Sequence, residues 1–510
     1  MNAIAVTSYG RVRGEIVADL CVWRGIRYAK PPVGELRFCA PQPPDPWTDI
    51  RRATEAAPVA WQSEAVNPFT GEPVVQHRAE DCLIVNVSAP VVPPPDGAGY
   101  PVLVWVHGGG YVQGAGAGDL VGDAAVLARR GLVVVTFNYR LGALGFLHLA
   151  DVAGAELADA GQAGFLDQVA ALRWVRDNIS GFGGDPRRVT IYGVSAGAKS
   201  VANLIASPLT AGLISRAISS SGGAEHVATP RQAIRVRRRL LRELGLTDDA
   251  SGVRRLINVP PAELVAAQEA IATGAQGTWV WRPVLGGTGI PVLPIDAVSS
   301  GAGAGIPLLI GHNGTEGASY QLMDATAARQ APRVLAELFG TSTATEMLAA
   351  YAAARPELDE TGVGVAVLGA ERYGVPTHRL ALAQAAHAPV WRYRYDGCPP
   401  GIPADLAGGH GLDMLAVWGS DSFSELARSG DPQARLGQAM AAAWTSFARG
   451  EAPSASISDA ARAWGEFAAR DEATLILSAE PRLDQHPRRA EYDIWAGKTW
   501  TSGTWWDLGL

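Results

Sequence analysis

A serine between two glycines is the clearest candidate nucleophile in this chain. Residues 193–197 have the sequence GVSAG, with Ser195 at the centre, strand-favouring residues at 189–192 and small, helix-favouring residues at 198–206. A serine on a sharp turn between a strand and a helix exposes its hydroxyl, and glycine is needed where the backbone crosses closely. The pattern therefore predicts a nucleophilic serine, with the Ala196 N–H and the helix N-terminus directed at any oxyanion that forms.

Three glycines follow His107 at positions 108–110, at the end of an apolar run. Glycines leave backbone N–H groups unshielded, so these groups can approach a substrate oxygen closely. A flexible turn is the alternative interpretation. Together with Ser195 downstream, the glycines fit an acyl-transfer site in which a glycine-rich loop supplies part of the oxyanion hole.

A serine hydroxyl needs a base to take its proton and an acid to hold that base in the correct tautomer. His410 is the candidate base, because it lies in the glycine-lined segment GGHGLD at 408–413, after a predicted strand. Glu316 is the candidate acid, because it follows the predicted strand 307–310, and active residues of open α/β sheets lie at strand carboxyl ends. Asp296 and Asp324 remain the alternative acids.

The elements that must position these side chains alternate between strands and helices. Near-continuous apolar runs at 100–107 and 131–138 are typical of central strands that are buried on both faces. The α/β pattern predicts a mostly parallel, doubly wound sheet with helical insertions around the active-site mouth. Further predicted elements are an antiparallel start over 5–28, strands at 80–87, 189–193, 216–222, 307–311 and 390–395, and helices at 123–130, 165–179 and 431–448.

The 510 residues exceed the usual size of one core, but the candidate motifs run from about residue 25 to 450 and must converge on one site. We therefore expect a single domain over 1–510, with long insertions at about 40–80, 225–280 and 320–390. The net charge of −7 provides no basic footprint for nucleic acid. Substrate preference depends on the insertions and is not encoded in a readable motif.

No targeting segment and no run of 18 apolar residues is visible, so we expect no membrane span. The four cysteines lack metal-site spacing, and so few cysteines without an export signal favour a cytoplasmic protein without disulfides. No metal or dinucleotide motif is present, so we expect no cofactor. The oligomeric state is open.

The chain resembles the type-B carboxylesterases, the branch of the α/β-hydrolases that includes cholinesterases and bacterial para-nitrobenzyl esterases. The resemblance is carried by segments in the same order over about residues 7–495: 25–38, 80–83, 107–110, 138–142, 164–168, 182–186, 193–197, 316–317, 410–411 and 444–448.

The resemblance implies that Ser195 is the nucleophile, Glu316 the acid and His410 the base. By the same resemblance, the N–H groups of Gly109, Gly110 and Ala196 would form the oxyanion hole. The implied activity is hydrolysis of uncharged carboxylic esters through an acyl-enzyme, without a cofactor. The alternatives are an inactive cholinesterase-like binding protein and an acyltransferase or peptidase using the same triad.

The resemblance also implies two buried ion pairs, Arg37 with Glu80 and Arg140 with Asp167. One departure from the family lies next to the nucleophile, where Val194 replaces the usual acidic residue. This change alters the environment behind the turn without removing a reacting group.

Overall fold

The computed structural model describes residues 3–66, 73–74, 76–94, 97–117, 124–453, 464–501 and 505. Part of the predicted insertion at 40–80 and the start of the predicted helix at 123–130 lie outside these residues. The strands are β1 (Ile4–Thr7), β2 (Gly10–Arg13), β3 (Glu15–Val17), β4 (Leu20–Arg27), β5 (Ile50–Arg52), β6 (Ala65–Val66), β7 (Pro73–Val74), β8 (Ile84–Pro90), β9 (Tyr100–Val106), β10 (Val133–Phe137), β11 (Gly184–Val194), β12 (Arg216–Ser220), β13 (Leu308–Asn313), β14 (Val390–Tyr395), β15 (Thr474–Leu477) and β16 (Arg482–Asp484).

Helices fill most of the segments between the later strands. The α-helices are α1 (Ala125–Ala128), α2 (Gly142–Phe146), α3 (Ala163–Asn178), α4 (Ala196–Ala206), α5 (Pro230–Glu243), α6 (Ala250–Leu256), α7 (Pro261–Ile271), α8 (Gly274–Val280), α9 (Pro294–Ser299), α10 (Glu316–Met323), α11 (Ala331–Phe339), α12 (Thr341–Ala354), α13 (Glu360–Gly369), α14 (Val375–Ala385), α15 (Leu412–Trp418), α16 (Ser424–Arg428), α17 (Pro432–Arg449) and α18 (Arg489–Ile494). A π-helical turn, Ala370–Gly374, joins α13 to α14. Short 3₁₀ turns occupy Gly34–Leu36, Ala155–Leu157, Ala160–Gln162, Ile179–Phe182, Pro208–Thr210, Ala328–Gln330 and Ala404–Leu406.

One large mixed sheet organises the fold, with strand order β16-β15-β14-β13-β12-β11-β9-β10-β8-β4-β3. The seven central strands, from β15 to β10 in that order, are parallel. At one edge β16 pairs antiparallel with β15. At the other edge β8, β4 and β3 each pair antiparallel with the preceding strand of the sheet. The predicted α/β class with a mostly parallel sheet is therefore confirmed. Parallel strands bring their carboxyl ends to one edge, which is where the candidate site residues follow their strands.

Both faces of the sheet are buried, as the apolar runs indicate. In β9, Val102, Val104 and Val106 contribute to one hydrophobic core, and Leu103 and Trp105 contribute to the core on the opposite face. Residues of α3 and α4 cover the first face, and residues of α15 and α17 cover the second. Because successive strand residues point to opposite faces, a strand between two helical layers must be apolar throughout.

The sheet continues beyond β14, the last strand that the sequence marks well. β15 pairs parallel with β14, and β16 pairs antiparallel with β15. The apolar run of β15 is too short for its period to distinguish a strand from a buried helical segment. In the described residues no helix is both long and apolar enough to cross a membrane.

Candidate active site

Ser195 lies at the turn between β11 and α4, with φ 59° and ψ −123°. A positive φ is uncommon for a residue with a side chain, and such strain is often found at functional sites. A Cβ at Gly193 would lie 2.4 Å from the backbone of Gly197, and one at Gly197 would lie 2.0 Å from the carbonyl oxygen of Val106. The predicted steric reason for the two glycines is therefore confirmed.

The glycine loop after β9 packs directly against this turn. A Cβ at Gly108 would lie 3.3 Å from Ser195 Cβ and 2.6 Å from the Val194 carbonyl oxygen. Gly109 and Gly110 have φ values of 99° and 63°, a backbone conformation that favours glycine. Ala196 begins α4, so its N–H has no acceptor within the helix. The three backbone donors predicted from the sequence thus belong to segments that adjoin Ser195.

Glu316 and His410 form the hydrogen bond expected of an acid and a base. His410 Nδ1 and Glu316 Oε2 lie 2.5 Å apart. Glu316 is 3% exposed and is the first residue of α10, where the helix dipole favours a negative charge. Hydrogen bonds to an ionised carboxylate are shorter and stronger than those between neutral groups. This bond fixes Nδ1 toward the carboxylate and leaves Nε2 as the other reactive nitrogen of the imidazole.

Two donors hold the second oxygen of Glu316. The Ser221 hydroxyl donates to Oε1 over 2.5 Å, and the Asn313 N–H donates to the same atom over 2.7 Å. Ser221 itself has a positive φ of 59° and follows β12. The carboxylate is therefore held on both oxygens, which limits its rotation relative to His410.

A second buried carboxylate, Asp413, lies behind this pair. The Asn313 amide donates to Asp413 Oδ1 over 3.0 Å, and the Tyr393 hydroxyl donates to Oδ2 over 2.7 Å. Burial raises the pKa of Asp413, and the hydrogen bonds from Tyr393 and Asn313 oppose that shift. Asn313 also donates to the Ser221 hydroxyl over 3.1 Å, so one continuous network joins Asp413 to Glu316.

One aromatic ring contacts the His410 imidazole, and a serine contacts the His410 backbone. The ring of Tyr373 stacks on it with centroids 4.4 Å apart, and the backbone N–H of His410 donates to Ser319 Oγ over 3.0 Å. In the described part of the chain, the Ser195 hydroxyl makes no hydrogen bond to this imidazole. Catalytic hydrogen bonds are often long or poorly aligned before substrate binds.

The three candidate acids have different surroundings. Asp296 is exposed on α9, and the Asp324 carboxylate accepts hydrogen bonds from Thr326. Glu316 is therefore the predicted acid that contacts His410. Sequence reasoning did not identify Ser221, Asn313, Asp413, Ser319 or Tyr373. The signals available were the Ser-Gly pair after β12 and the acidic residue three positions after His410.

Both predicted buried ion pairs are confirmed. Arg37 contacts Glu80 through two hydrogen bonds of 2.6 Å each. Arg140 contacts Asp167 through bonds of 2.7 and 2.8 Å. Val194 is buried in the core on the face covered by α15 and α17, so an apolar residue suits its surroundings.

Neutral imidazole is the expected form of His107, which precedes the glycine loop. Burial lowers its pKa to about 4, and its ring stacks on Tyr139 with centroids 4.2 Å apart. The Tyr139 hydroxyl donates to the His107 carbonyl oxygen over 2.9 Å. These contacts anchor the start of the glycine loop. Over the described ranges, no group of three or more His, Cys, Asp or Glu residues is arranged to hold a metal ion.

The chain is similar to known esterases over most of its length. The model of the carboxylesterase family matches residues 2–495. A para-nitrobenzyl esterase of Bacillus subtilis is 35% identical over 95% of this chain and 97% of its own length. A fumonisin B1 esterase of Sphingopyxis macrogoltabida is 34% identical over 87% of this chain and 81% of its own length.

Solved structures of esterases also resemble this chain in fold. The carboxylesterase of Geobacillus stearothermophilus superposes with a TM-score of 0.82 at 34% identity, covering 97% of this chain and 100% of that one. A para-nitrobenzyl esterase structure gives a TM-score of 0.80 at 33% identity, covering 96% of this chain and 99% of that one. The chain therefore belongs to the carboxylesterase family and is a carboxylic ester hydrolase of the serine esterase type.

Proposed function

We propose that Ser195, Glu316 and His410 form the catalytic triad of this esterase and that Gly109, Gly110 and Ala196 supply its oxyanion hole. The observation that carries the proposal is the 2.5 Å hydrogen bond between His410 Nδ1 and the buried Glu316 carboxylate. That bond requires the proton of neutral imidazole to lie on Nδ1, so Nε2 has a free lone pair. Nε2 is then the atom that accepts the Ser195 proton.

The proposed reaction consists of two acyl transfers. His410 takes the Ser195 proton while Oγ attacks the ester carbonyl carbon, and the three N–H groups stabilise the oxyanion. As the tetrahedral intermediate collapses, the ester C–O bond breaks and His410 gives its proton to the leaving alkoxide. A water then attacks the acyl-enzyme by the same steps and releases the acid and free Ser195.

The domain organisation and location remain part of this proposal. We propose one domain over 1–510, because the triad residues follow β11, β13 and β14 of the same sheet. A small-molecule ester is the expected substrate, with no nucleic-acid partner. A cytoplasmic location stays a prediction from the sequence, and fractionation of the source cells would test it.

The test is a panel of p-nitrophenyl esters of graded acyl length, assayed on the wild type and on Ser195→Ala. We expect kcat to fall by about 10⁵-fold or more in the variant, since losing the nucleophile of such a triad leaves little beyond oxyanion binding. Unchanged activity in Ser195→Ala would contradict the proposal. The same panel with added alcohols separates hydrolysis from acyl transfer, because a transferase would form the new ester. An inactive wild type would favour the binding-protein alternative.

A further inference from the structure

A buried lysine lies one helical turn after the proposed nucleophile. The Lys199 N–H donates to the Ser195 carbonyl oxygen over 3.0 Å, and Lys199 is 1% exposed. Lys199 therefore lies in the first turn of α4, the helix that begins directly after Ser195. Lys199 Nζ lies 4.4 Å from the centre of the Tyr373 ring, which in turn stacks on His410. One aromatic ring therefore contacts both the lysine ammonium group and the proposed base.

A buried arginine, Arg372, directly precedes Tyr373 in the chain. Arg372 Nε donates to the Tyr373 hydroxyl over 3.0 Å, and Nη2 donates to the Thr278 carbonyl oxygen over 2.6 Å. Thr278 packs on the oxyanion loop, because a Cβ at Gly110 would lie 2.5 Å from Thr278 Cβ. Arg372 is thus fixed between the oxyanion loop and the ring that covers His410. The mechanism proposed above gives it no task.

Several donors in this region have no partner in the protein. Among the residues that the structure describes, Lys199 Nζ, Arg372 Nη1 and Arg282 Nε make no hydrogen bond. Each of these residues is at most 4% exposed. Buried polar groups are nearly always hydrogen-bonded, and an unpaired buried charge strongly destabilises a fold. Arg372 lowers the pKa of both Lys199 and Arg282, so the three groups lie near one another, and their open donors indicate a site that a ligand completes.

The two nearby carboxylates, Glu371 and Glu225, contact other donors. Glu371 accepts hydrogen bonds from the indoles of Trp500 and Trp505 over 3.1 and 2.9 Å. Glu225 Oε1 lies 3.8 Å from Arg379. Burial lowers the pKa of Lys199 well below its ordinary value, and Arg372 lowers it further. An anion bound beside Lys199 would oppose that shift and would accept hydrogen bonds from the open donors.

We propose that Lys199, Arg282 and Arg372 form a cationic group that binds a second, ionised carboxylate of the ester substrate. The preferred substrates would then be esters that carry a free carboxylate, such as monoesters of dicarboxylic acids, rather than the uncharged esters expected from the sequence. This inference rests on the proposed function, because the cationic group is placed relative to Ser195 and His410. A site built to bind a polar group discriminates strongly against an analogue without it.

The experiment compares monoethyl glutarate with ethyl 5-methylhexanoate, in which an isopropyl group replaces the carboxylate. Monoethyl esters of succinate and adipate vary the distance between the free carboxylate and the ester carbonyl. Butyryl glycolate carries its carboxylate in the alcohol half of the ester. Wild type should favour at least one anionic ester over its neutral match by about 100-fold in kcat/KM. Lys199→Met should remove most of that preference while it leaves the rate on the neutral ester within about threefold.

Lys30→Met is the matched control, because Lys30 is a partly exposed lysine paired with Asp45. This control should keep the wild-type preference. Lys199→Met should also unfold at a higher urea concentration than wild type, since it removes a buried amino group that has no hydrogen-bond partner. If Lys199 served only to stabilise the fold, Lys199→Met would unfold at a lower urea concentration than wild type.

Two results would overturn the inference: a wild type that hydrolyses the neutral ester as well as every anionic one, or a Lys199→Met variant that loses both activities equally. p-Nitrophenyl acetate serves as a separate test of the triad. If wild type hydrolyses it and Ser195→Ala does not, the triad is supported even when the inference about the cationic group fails.

Discussion

The buried pair of Arg140 and Asp167 should contribute to stability in a way that a double-mutant cycle can measure. Arg140 is 3% exposed and Asp167 is fully buried. Asp167 accepts two hydrogen bonds from the guanidinium group and one from the Arg140 backbone N–H, over 2.7, 2.8 and 3.0 Å. Arg140→Met would leave the carboxylate with the backbone donor, and we expect a loss of about 3–5 kcal/mol in the free energy of unfolding.

The double variant Arg140→Met with Asp167→Leu should recover much of that loss, because no charge is then left buried without a partner. Urea unfolding followed by circular dichroism would give each free energy from the midpoint and slope. Arg176→Met is the control, because Arg176 and Asp177 form an exposed pair that should contribute about 0–1 kcal/mol. The reasoning would be refuted if Arg140→Met cost no more than this control, or if the double variant lost the sum of both single losses.

Three further predictions follow from the site and its surroundings. Glu316→Gln should lower kcat by about 10⁴-fold with little change in KM, since the imidazole loses the carboxylate that fixes its tautomer. Steady-state kinetics on a p-nitrophenyl ester would measure both constants, and a change in KM alone would contradict the prediction. Gly197→Ala should destabilise the fold by about 3 kcal/mol or more, because its Cβ would lie 2.0 Å from the Val106 carbonyl oxygen; an unchanged urea midpoint would contradict this. Burial raises the pKa of Glu225 to about 7, so its carboxylate weakens the fold increasingly as pH rises from the ordinary range of a glutamate through 7. Glu225→Gln should therefore raise the melting temperature at about pH 8 and leave it unchanged at about pH 4, measured by thermal unfolding.

The sequence predicts the features that depend on local rules. The two glycines around Ser195 are required by contacts within a few residues of the turn and with β9, so the motif itself carries the information. Central strands buried on both faces must be continuously apolar, which makes β9 and β10 recognisable. Glu316 and His410 could be selected because each follows a predicted strand.

Other features depend on contacts between distant segments. Ser221 and Asp413 are separated by almost 200 positions, and the network through Asn313 exists only once β12, β13 and α15 are assembled. Lys199 is visible in the sequence one helical turn after Ser195, but only the folded chain shows that its Nζ packs on Tyr373 and has no hydrogen-bond partner. β15 was missed because its apolar run is too short to identify.

The most direct test of the account is to trap the acyl-enzyme. Wild type would be mixed with p-nitrophenyl acetate, quenched in acid within the burst phase and analysed by mass spectrometry of the intact chain and its peptides. The account predicts one acetyl group per chain, attached to Ser195, and none on Ser195→Ala. An acetyl group on another residue, or rapid turnover without any label on Ser195, would contradict it.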